Sequence, residues 1–342
     1  MSKALLLMAQ GKPDRKYLKV SSPDDLTGQT KLPLHDSGKR RAQRMGLWLA
    51  RHAYQPDMIL ASPTLRARVT AEKAIKVMGI GVAHLHVDKR LYKADLPVLL
   101  SRMKTLSESA QTVLLVGHRK GLEQLITYLA GEQTGCENQE RLLKHGSLAV
   151  LKVNDNWASL GAAGSKLCHL IHTSSLSELF PFPDEKGKEL RQRPAYYYRQ
   201  SSVIPYRYNG KNLDVLLVRS SKKRHWIVPK GVHEPGLTSQ ESAAKEAWEE
   251  AGIKGVVAAE SLGCYHYEKW GSLCEVSVYP MLVEFVVNEE QWLESHRGRR
   301  WCTVDEAKSL LKQQNLIPML QELLEDLNGG QIAGDPISEV EV

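Results

Sequence analysis

The chain has 342 residues, of which 42% are hydrophobic and 25% charged, and at ~150 residues per domain that length favours two domains. No apolar run approaches the ~18 residues a membrane span needs, which argues against a helical membrane protein. Lys and Arg outnumber Asp and Glu by 46 to 39, a net +7 that suits anionic ligands such as phosphates but is too mild to establish nucleic-acid binding.

The opening MSKALLLMAQGK has an apolar core only from Ala4 to Met8, shorter than the ~7–15 residues of a signal-peptide core, so secretion is not expected. Strands ALLLM (4–8), MILAS (58–62) and VLLVG (113–117) alternate with helices expected near 37–53, 64–78 and 121–130. That is the rhythm of a parallel sheet covered on both faces. After SLAVLKV (147–153), the proline-bearing charge run LFPFPDEKGKELRQRP (179–194) reads as a linker. The expected boundaries are a first domain at 1–182, a linker at 183–195, a second domain at 196–328 and a disordered acidic tail at 329–342. The second domain mixes strands (SSVIPYR, DVLLVRS, WIVP, VSVYPMLVEFVV) with helices expected at about 238–251 and 304–325, as in a sandwiched α/β fold. Cys136, Cys168, Cys264, Cys274 and Cys302 lie too far apart for a disulfide framework or a zinc site, and reduced thiols in a cytoplasmic protein are expected.

In the first half, LLLMAQGK (5–12), LHDSGKRRAQRMGLWLA (34–50), ILASPTLRARVTAE (59–72) and VLLVGHRKGLEQL (113–125) place turns after strands, where an α/β sheet puts its chemistry. Over about 3–180 these stretches resemble the histidine phosphatase superfamily, especially the small phosphohistidine phosphatases. The family's Arg-His-Gly motif, whose histidine is the nucleophile, here reads Ala9-Gln10-Gly11. A carboxamide forms no phosphoenzyme and alanine binds no anion, so phosphoryl transfer by the usual route should be lost. Arg66 and His118 stand at the second arginine and second histidine positions. They imply either a residual phosphate pocket or a scaffold, and a scaffold or regulatory pseudophosphatase is the favoured expectation.

In the second half, PKGVHEPGLTSQESAAKEAWEEAGI (229–253) joins a glycine-bearing loop to a helix. Glu246, Glu249 and Glu250 stand at i, i+3 and i+4, so at ~100° per residue they share one face, while Ala243, Ala244, Ala247, Trp248 and Ala251 form the other stripe. Like charges at that spacing repel by a few tenths of a kcal/mol per pair, a cost that a divalent cation reverses. Carboxylate oxygens are hard ligands and point to Mg²⁺ or Mn²⁺. A solvated acidic face is the plain alternative.

Gly231, Lys245-Glu246, Ala247, Glu249-Glu250, Gly252 and Ile253, with WIVPKG before them, follow the Nudix box, and 196–328 resembles a Nudix hydrolase. The resemblance implies an α/β/α sandwich, a metal site at Glu246, Glu249, Glu250 and Gly231, and hydrolysis of a diphosphate linkage with a metal-activated water. Which carboxylate takes the proton from water differs within the family; Glu250 is the working choice. The family's loop glutamate falls at Leu237 and its arginine at Lys245, and both family residues usually orient the metal-binding glutamates.

The stretches RQSSVIPYR (199–207), VLLVRSSKKRHWIVPKG (215–231), EEAGIKG (249–255), LGCYHYEK (262–269) and GRRWCTVDEA (298–307) look most like the diphosphoinositol polyphosphate phosphohydrolases, which also cleave diadenosine polyphosphates and polyphosphate. In that family an arginine opening the first strand and a Ser-Ser-basic loop hold the phosphates, which implies Arg199 and Ser220, Ser221, Lys222 and Lys223 here. Lys230 and Lys269 are further candidates. A phosphate-crowded substrate needs many cationic and hydroxyl partners, and SSKKRH (220–225) offers them. Arg299 and Arg300 are expected to be structural, and Tyr265, Tyr267 and Trp270 to be core before they are base-stacking groups.

The expected protein is a Mg²⁺-dependent (or Mn²⁺-dependent) Nudix pyrophosphohydrolase fused behind a catalytically dead histidine-phosphatase-like domain, α/β in both halves. Its expected partner is a polyphosphorylated small molecule, with no membrane and no nucleic acid; the oligomeric state stays open. The alternatives are a non-catalytic phosphate-ligand sensor and a Nudix hydrolase of nucleoside polyphosphates.

Overall fold

The computed structural model describes residues 3–14, 16, 31–131, 141–183, 189–210 and 212–329. Two compact units divide the chain, Met1–Phe180 and Pro181–Val342. Residues 184–188 of the expected linker and 330–342 of the expected tail lie outside the described residues.

The first unit runs β1 (Lys3–Ala9), α1 (Asp36–Arg51), β2 (Met58–Ala61), α2 (Leu65–Val77), β3 (Leu85–Val87), α3 (Leu96–Lys104), β4 (Thr112–Gly117), α4 (Arg119–Ala130), β5 (Leu148–Val153) and β6 (Lys166–Ile171). Its sheet has the order β3-β2-β4-β1-β5-β6. The strand period of two sends Leu5 and Leu7 into a cluster with Leu99, Met103, Leu122 and Leu125 of α3 and α4. Leu6 and Met8 enter a second cluster with Met45, Leu49, Ala74 and Ile75 of α1 and α2. Helices therefore cover both faces, as the apolar runs require. Gly46 lets α1 and α2 touch, because a Cβ there would overlap the Ala74 carbonyl.

The first four strands pair in parallel, as the sequence rhythm predicts. β5 instead runs antiparallel to both β1 and β6. No crossover helix joins β5 to β6, only a link with one 3₁₀ turn at Trp157–Ser159, and a parallel pair needs such a crossover.

The second unit runs β7 (Arg199–Asn209), β8 (Asn212–Arg219), β9 (Trp226–Ile227), β10 (Lys230–Val232), α5 (Ser239–Glu246), β11 (Ile253–Val257), β12 (Gly263–Lys269), β13 (Ser272–Val286), β14 (Arg299–Thr303), α6 (Val304–Leu310) and α7 (Leu316–Gly329). The sheet follows β9-β8-β7-β13-β11, with β10 on β7, β12 on β13 and β14 on β8. Val203, Leu216, Val218 and Met281 meet Ala243, Ala247 and Ala251 on one face. Ile204, Val215, Leu217 and Val278 meet Ala307, Leu316, Leu320 and Leu323 on the other. This is an α/β/α sandwich. The single helix expected at 304–325 is two: Leu311 turns extended after α6 and bridges to Trp226. The apolar period runs through both pieces, so the sequence pattern hides the break.

Candidate active site

The acidic helix begins at a capping box, in which Thr238 accepts from the Glu241 N–H and the Glu241 carboxylate accepts from the Thr238 N–H. It ends at Gly252, whose φ of 64° puts it in the left-handed region. Ala243, Ala247 and Ala251 are fully buried against the sheet, which turns Glu246, Glu249 and Glu250 to the opposite side. After Glu246 the helix winds into a π turn, Ala247–Ala251, so the regular 100° spacing assumed from sequence does not hold through its end. Gly231 in β10 faces this helix, and a Cβ on it would overlap the Glu246 carboxyl group.

Each acid has a different environment. Burial, reinforced by the charges of Glu250, Glu249 and Glu234, pushes the Glu246 carboxyl up to about 7. Glu249 is held by Lys245, whose Nζ lies 2.8 Å from Oε1 and donates to Oε2 at 2.9 Å. Lys245 also pairs with Glu234 at 3.6 Å. Although burial opposes it, these acids hold the Lys245 ammonium above its ordinary range. Glu250 accepts from the Lys230 N–H at 3.1 Å and from Arg297 at 2.8 Å. Its carboxyl still lies above the usual range, because burial outweighs those donors.

Among the described residues no three His, Cys, Asp or Glu side chains form a ready-made metal cage, and Lys245 and Arg297 pair with Glu249 and Glu250. The donors nonetheless fit a hard divalent cation. Three carboxylates share one helix end, and the one pressed against Gly231 carries a pKa raised by burial and then by like-charge neighbours, which such a cation would lower.

The residues expected to hold substrate separate into groups. Lys230 and Lys269 act on one another and Lys230 on Glu250 and Glu246, so these four share one neighbourhood, in which burial lowers the Lys230 ammonium. The two ammonium groups sit over aromatic rings, Lys230 over Tyr267 and Lys269 over Trp270. Arg199 is exposed at the start of β7 and lines a cavity of about 370 Å³ with His233, Glu234 and Leu237. Ser220 to His225 form a tight turn in which the Ser220 hydroxyl accepts from the Arg224 and His225 N–H groups. Ser221, Lys222 and Lys223 stand exposed at its tip. Tyr265 is buried and Tyr267 donates to Gln200 at 2.8 Å, both within the core cluster.

Sequence reading did not single out two residues. Arg297, only 9% exposed, lies in the basic run 296–300, where nothing local separates it from its neighbours. Arg299, by contrast, is structural as expected, donating to the carbonyls of Ala251, Gly252 and Val287. Glu234 stands three residues before Leu237 and supplies an acid to Lys245 from within the same loop. The missing loop glutamate at 237 was the available signal.

In the first unit the turns after β1, β2 and β4 converge. Gln10 is buried and accepts from the Thr64 hydroxyl at 2.9 Å. The Nδ1 of His145 lies 3.3 Å from the Gln10 carbonyl oxygen. Arg66 has a buried Nε without an acceptor among the described residues. His118 is placed with it: partial burial, then the charges of Arg66, Arg119 and Lys93, lower its pKa. The pocket is therefore cationic around a carboxamide, with no nucleophile at Gln10.

Segments of both units match known protein families. Residues 198–323 match the NUDIX domain and residues 21–104 the histidine phosphatase superfamily (branch 1). Nudix hydrolase 12, mitochondrial, of Arabidopsis thaliana is 34% identical over 119 residues, covering 33% of this chain and 59% of that protein. Nudix hydrolase 21, chloroplastic, of the same plant is 34% identical over 146 residues, covering 38% and 72%. The chain thus spans between about half and three quarters of these relatives' length. Among solved structures, the protein histidine phosphatase SixA complexed with tungstate is 16% identical with a TM-score of 0.40, covering 50% of this chain and 97% of that one. An Ap4A hydrolase of C. elegans is 22% identical with a TM-score of 0.33, covering 38% and 97%. The α/β/α sandwich with a glutamate-bearing helix after a glycine loop falls within the segment that matches the NUDIX domain. The chain belongs to the Nudix hydrolases, and within its first unit the match to the histidine phosphatase superfamily extends over 21–104. No helix among the described residues is long and apolar enough to cross a membrane.

Proposed function

We propose that the second unit hydrolyses a diphosphate linkage in a phosphate-dense small molecule, first a diphosphoinositol polyphosphate, then a diadenosine polyphosphate or inorganic polyphosphate. The observation that carries the reading is the grouping of Glu246 and Glu250 with Lys230 and Lys269 around the Gly231 backbone. Glu246, Glu249 and Glu250, with Gly231, would hold Mg²⁺ or Mn²⁺, which when bound neutralises phosphate charge and makes a water acidic. Lys230, Lys269 and Arg199 bind and orient the phosphates, with Ser220, Ser221, Lys222 and Lys223 receiving the outer ones. Lys245 orients Glu249, and Arg297 with the Lys230 N–H orients Glu250, the proposed proton acceptor.

The first unit is proposed to be a pseudophosphatase acting as scaffold or regulator, with Arg66 and His118 left from the ancestral pocket. Residence in the cytoplasm belongs to the same reading, supported by the free thiols of Cys168, Cys264, Cys274 and Cys302, although both plant relatives carry organelle names.

The test is Mg²⁺-dependent product release from a diphosphoinositol polyphosphate beside a diadenosine polyphosphate, in wild type and Glu250→Gln. Rapid cleavage of the inositol compound, lost in the variant, is expected. Preference for the diadenosine compound would move the substrate to the nucleoside polyphosphates. The phosphate-sensor reading draws on the cations that occupy Glu249 and Glu250. Cleavage of neither compound, with anion binding indifferent to Mg²⁺, would favour it.

A further inference from the structure

We propose that the first unit binds a small oligophosphate anion, without hydrolysing it, in a cavity formed by α1, the segment at Lys144 and His145, and the turn at His172 to Ser174. This goes beyond the hydrolysis proposed above and does not depend on it.

The cavity has a volume of about 380 Å³ and is lined by Arg41, Arg44, Lys144, His145, His172 and Thr173 among others, with Glu178 as the carboxylate in its wall. That volume falls within the ~300–1,000 Å³ of small-molecule sites. Arg44 decides the matter. Its side chain is 12% exposed, and Glu178, its ion-pair partner at 3.7 Å, is 90% exposed, too solvated to offset the burial of a guanidinium. One Arg44 nitrogen donates weakly to the Leu176 carbonyl at 3.4 Å. Its Nε is buried with no acceptor among the described residues, so the guanidinium charge is only partly compensated, and an anion in the cavity it lines supplies the missing counter-charge.

The surrounding groups add charge of the same sign. Burial, joined by the charges of Arg41 and Arg40, lowers the Arg44 pKa against the opposing charge of Glu178. Among the described residues no carboxylate pairs with Arg41 or Lys144. Two guanidinium groups, an ammonium, two imidazoles and a threonine hydroxyl make a donor set for phosphate oxygens. One wall carboxylate against three full cations calls for a ligand with several negative charges. His145 links the cavity to the Gln10 pocket, since its ring meets the Gln10 carbonyl and feels both Arg66 and Arg41. Gln10 offers no nucleophile there, so a bound phosphate is held without turnover.

The full chain, in chelator, is titrated by calorimetry with inorganic tripolyphosphate and, in a second arm, with inositol hexakisphosphate. Saturable binding of at least one probe is expected, and the tighter of the two shows whether a phosphate chain or a phosphorylated ring fits. Arg41→Glu, at a partly exposed position, and Lys144→Glu, at an exposed one, should each weaken it about tenfold or more. Paired substitution of Lys222→Ala and Lys223→Ala should leave it in place. Unchanged Mg²⁺-dependent hydrolysis and melting temperature in Arg41→Glu show that the fold is intact. No binding of either probe, or binding indifferent to both charge reversals, overturns the proposal. So does binding lost in Lys222→Ala/Lys223→Ala, or in His118→Ala alone, because the anion then sits elsewhere.

Discussion

Arg297 donates to Glu250 across 2.8 Å, and the two side chains are only 9% and 13% exposed. The pair ties the loop before β14 to the end of the acidic helix, 47 residues away in sequence. Removing one partner of a buried pair leaves an uncompensated charge, so Arg297→Met should cost about 3 kcal/mol of stability. Chemical denaturation checks this. The activity that survives should lose its acid side at a higher pH than wild type, because Arg297 is the chief influence holding the Glu250 carboxyl down.

Lys245 stands between Glu249 and Glu234, so the loop before the helix pairs with Lys245 through Glu234 although position 237 is a leucine. Glu234→Gln should lower kcat about tenfold, ~1.4 kcal/mol in barrier, with little change in KM, and Glu234→Asp should recover part of it. A change confined to KM would show that Glu234 acts on substrate and not through Lys245.

Gly231→Ala places a methyl group on the Glu246 carboxyl. The obstructed atoms are the free end of a side chain, so Glu246 moves while the fold stays. Mg²⁺-dependent activity should fall about 100-fold with the melting temperature nearly unchanged. Equal loss of stability and activity would contradict this.

Asp88 accepts from Arg90 and from Arg102, each at 2.7 Å, and the Arg90 hydrogen bond above all holds its carboxyl well below the usual carboxylate range. A depressed folded pKa contributes stability that is complete above the unfolded value near ~4 and is lost as pH falls through the folded value. Arg90 is 62% exposed and its share is screened, so Asp88→Asn should cost about 1–2 kcal/mol at pH 7. In urea titrations that difference should narrow steadily below pH 4.

Gln10, the carboxamide that follows β1, is buried and held by the Thr64 hydroxyl. The chain should release no phosphate from phosphohistidine or an aryl phosphate at any pH. A measurable rate abolished by His118→Ala would show a working phosphatase site.

The alternation of Leu5 to Met8, the alanine stripe of α5 and the glutamates opposite it are all readable in sequence, because strand and helix periods are local properties of the chain. The same locality joins α6 and α7 into one apparent helix, and conceals α3, a nine-residue helix (Leu96–Lys104) started by an Asp95 cap and an early proline. Position in the chain says nothing of the π turn after Glu246 or of the reversal of β5. Both depend on how the backbone closes against distant elements.

By itself the sequence determined that two α/β units are joined, that the second carries the Nudix acids and that the first has Ala9-Gln10-Gly11 after its first strand. Those features reside in residue types at short spacing. Only the tertiary structure decided that Arg297 meets Glu250, that Glu234, three residues before Leu237, pairs with Lys245, and that Arg41, Arg44 and Lys144 line one cavity. Such pairings join segments tens of residues apart in some cases and side chains turned by local backbone geometry in others. No periodicity encodes them, and burial of the apolar faces is what brings them into contact.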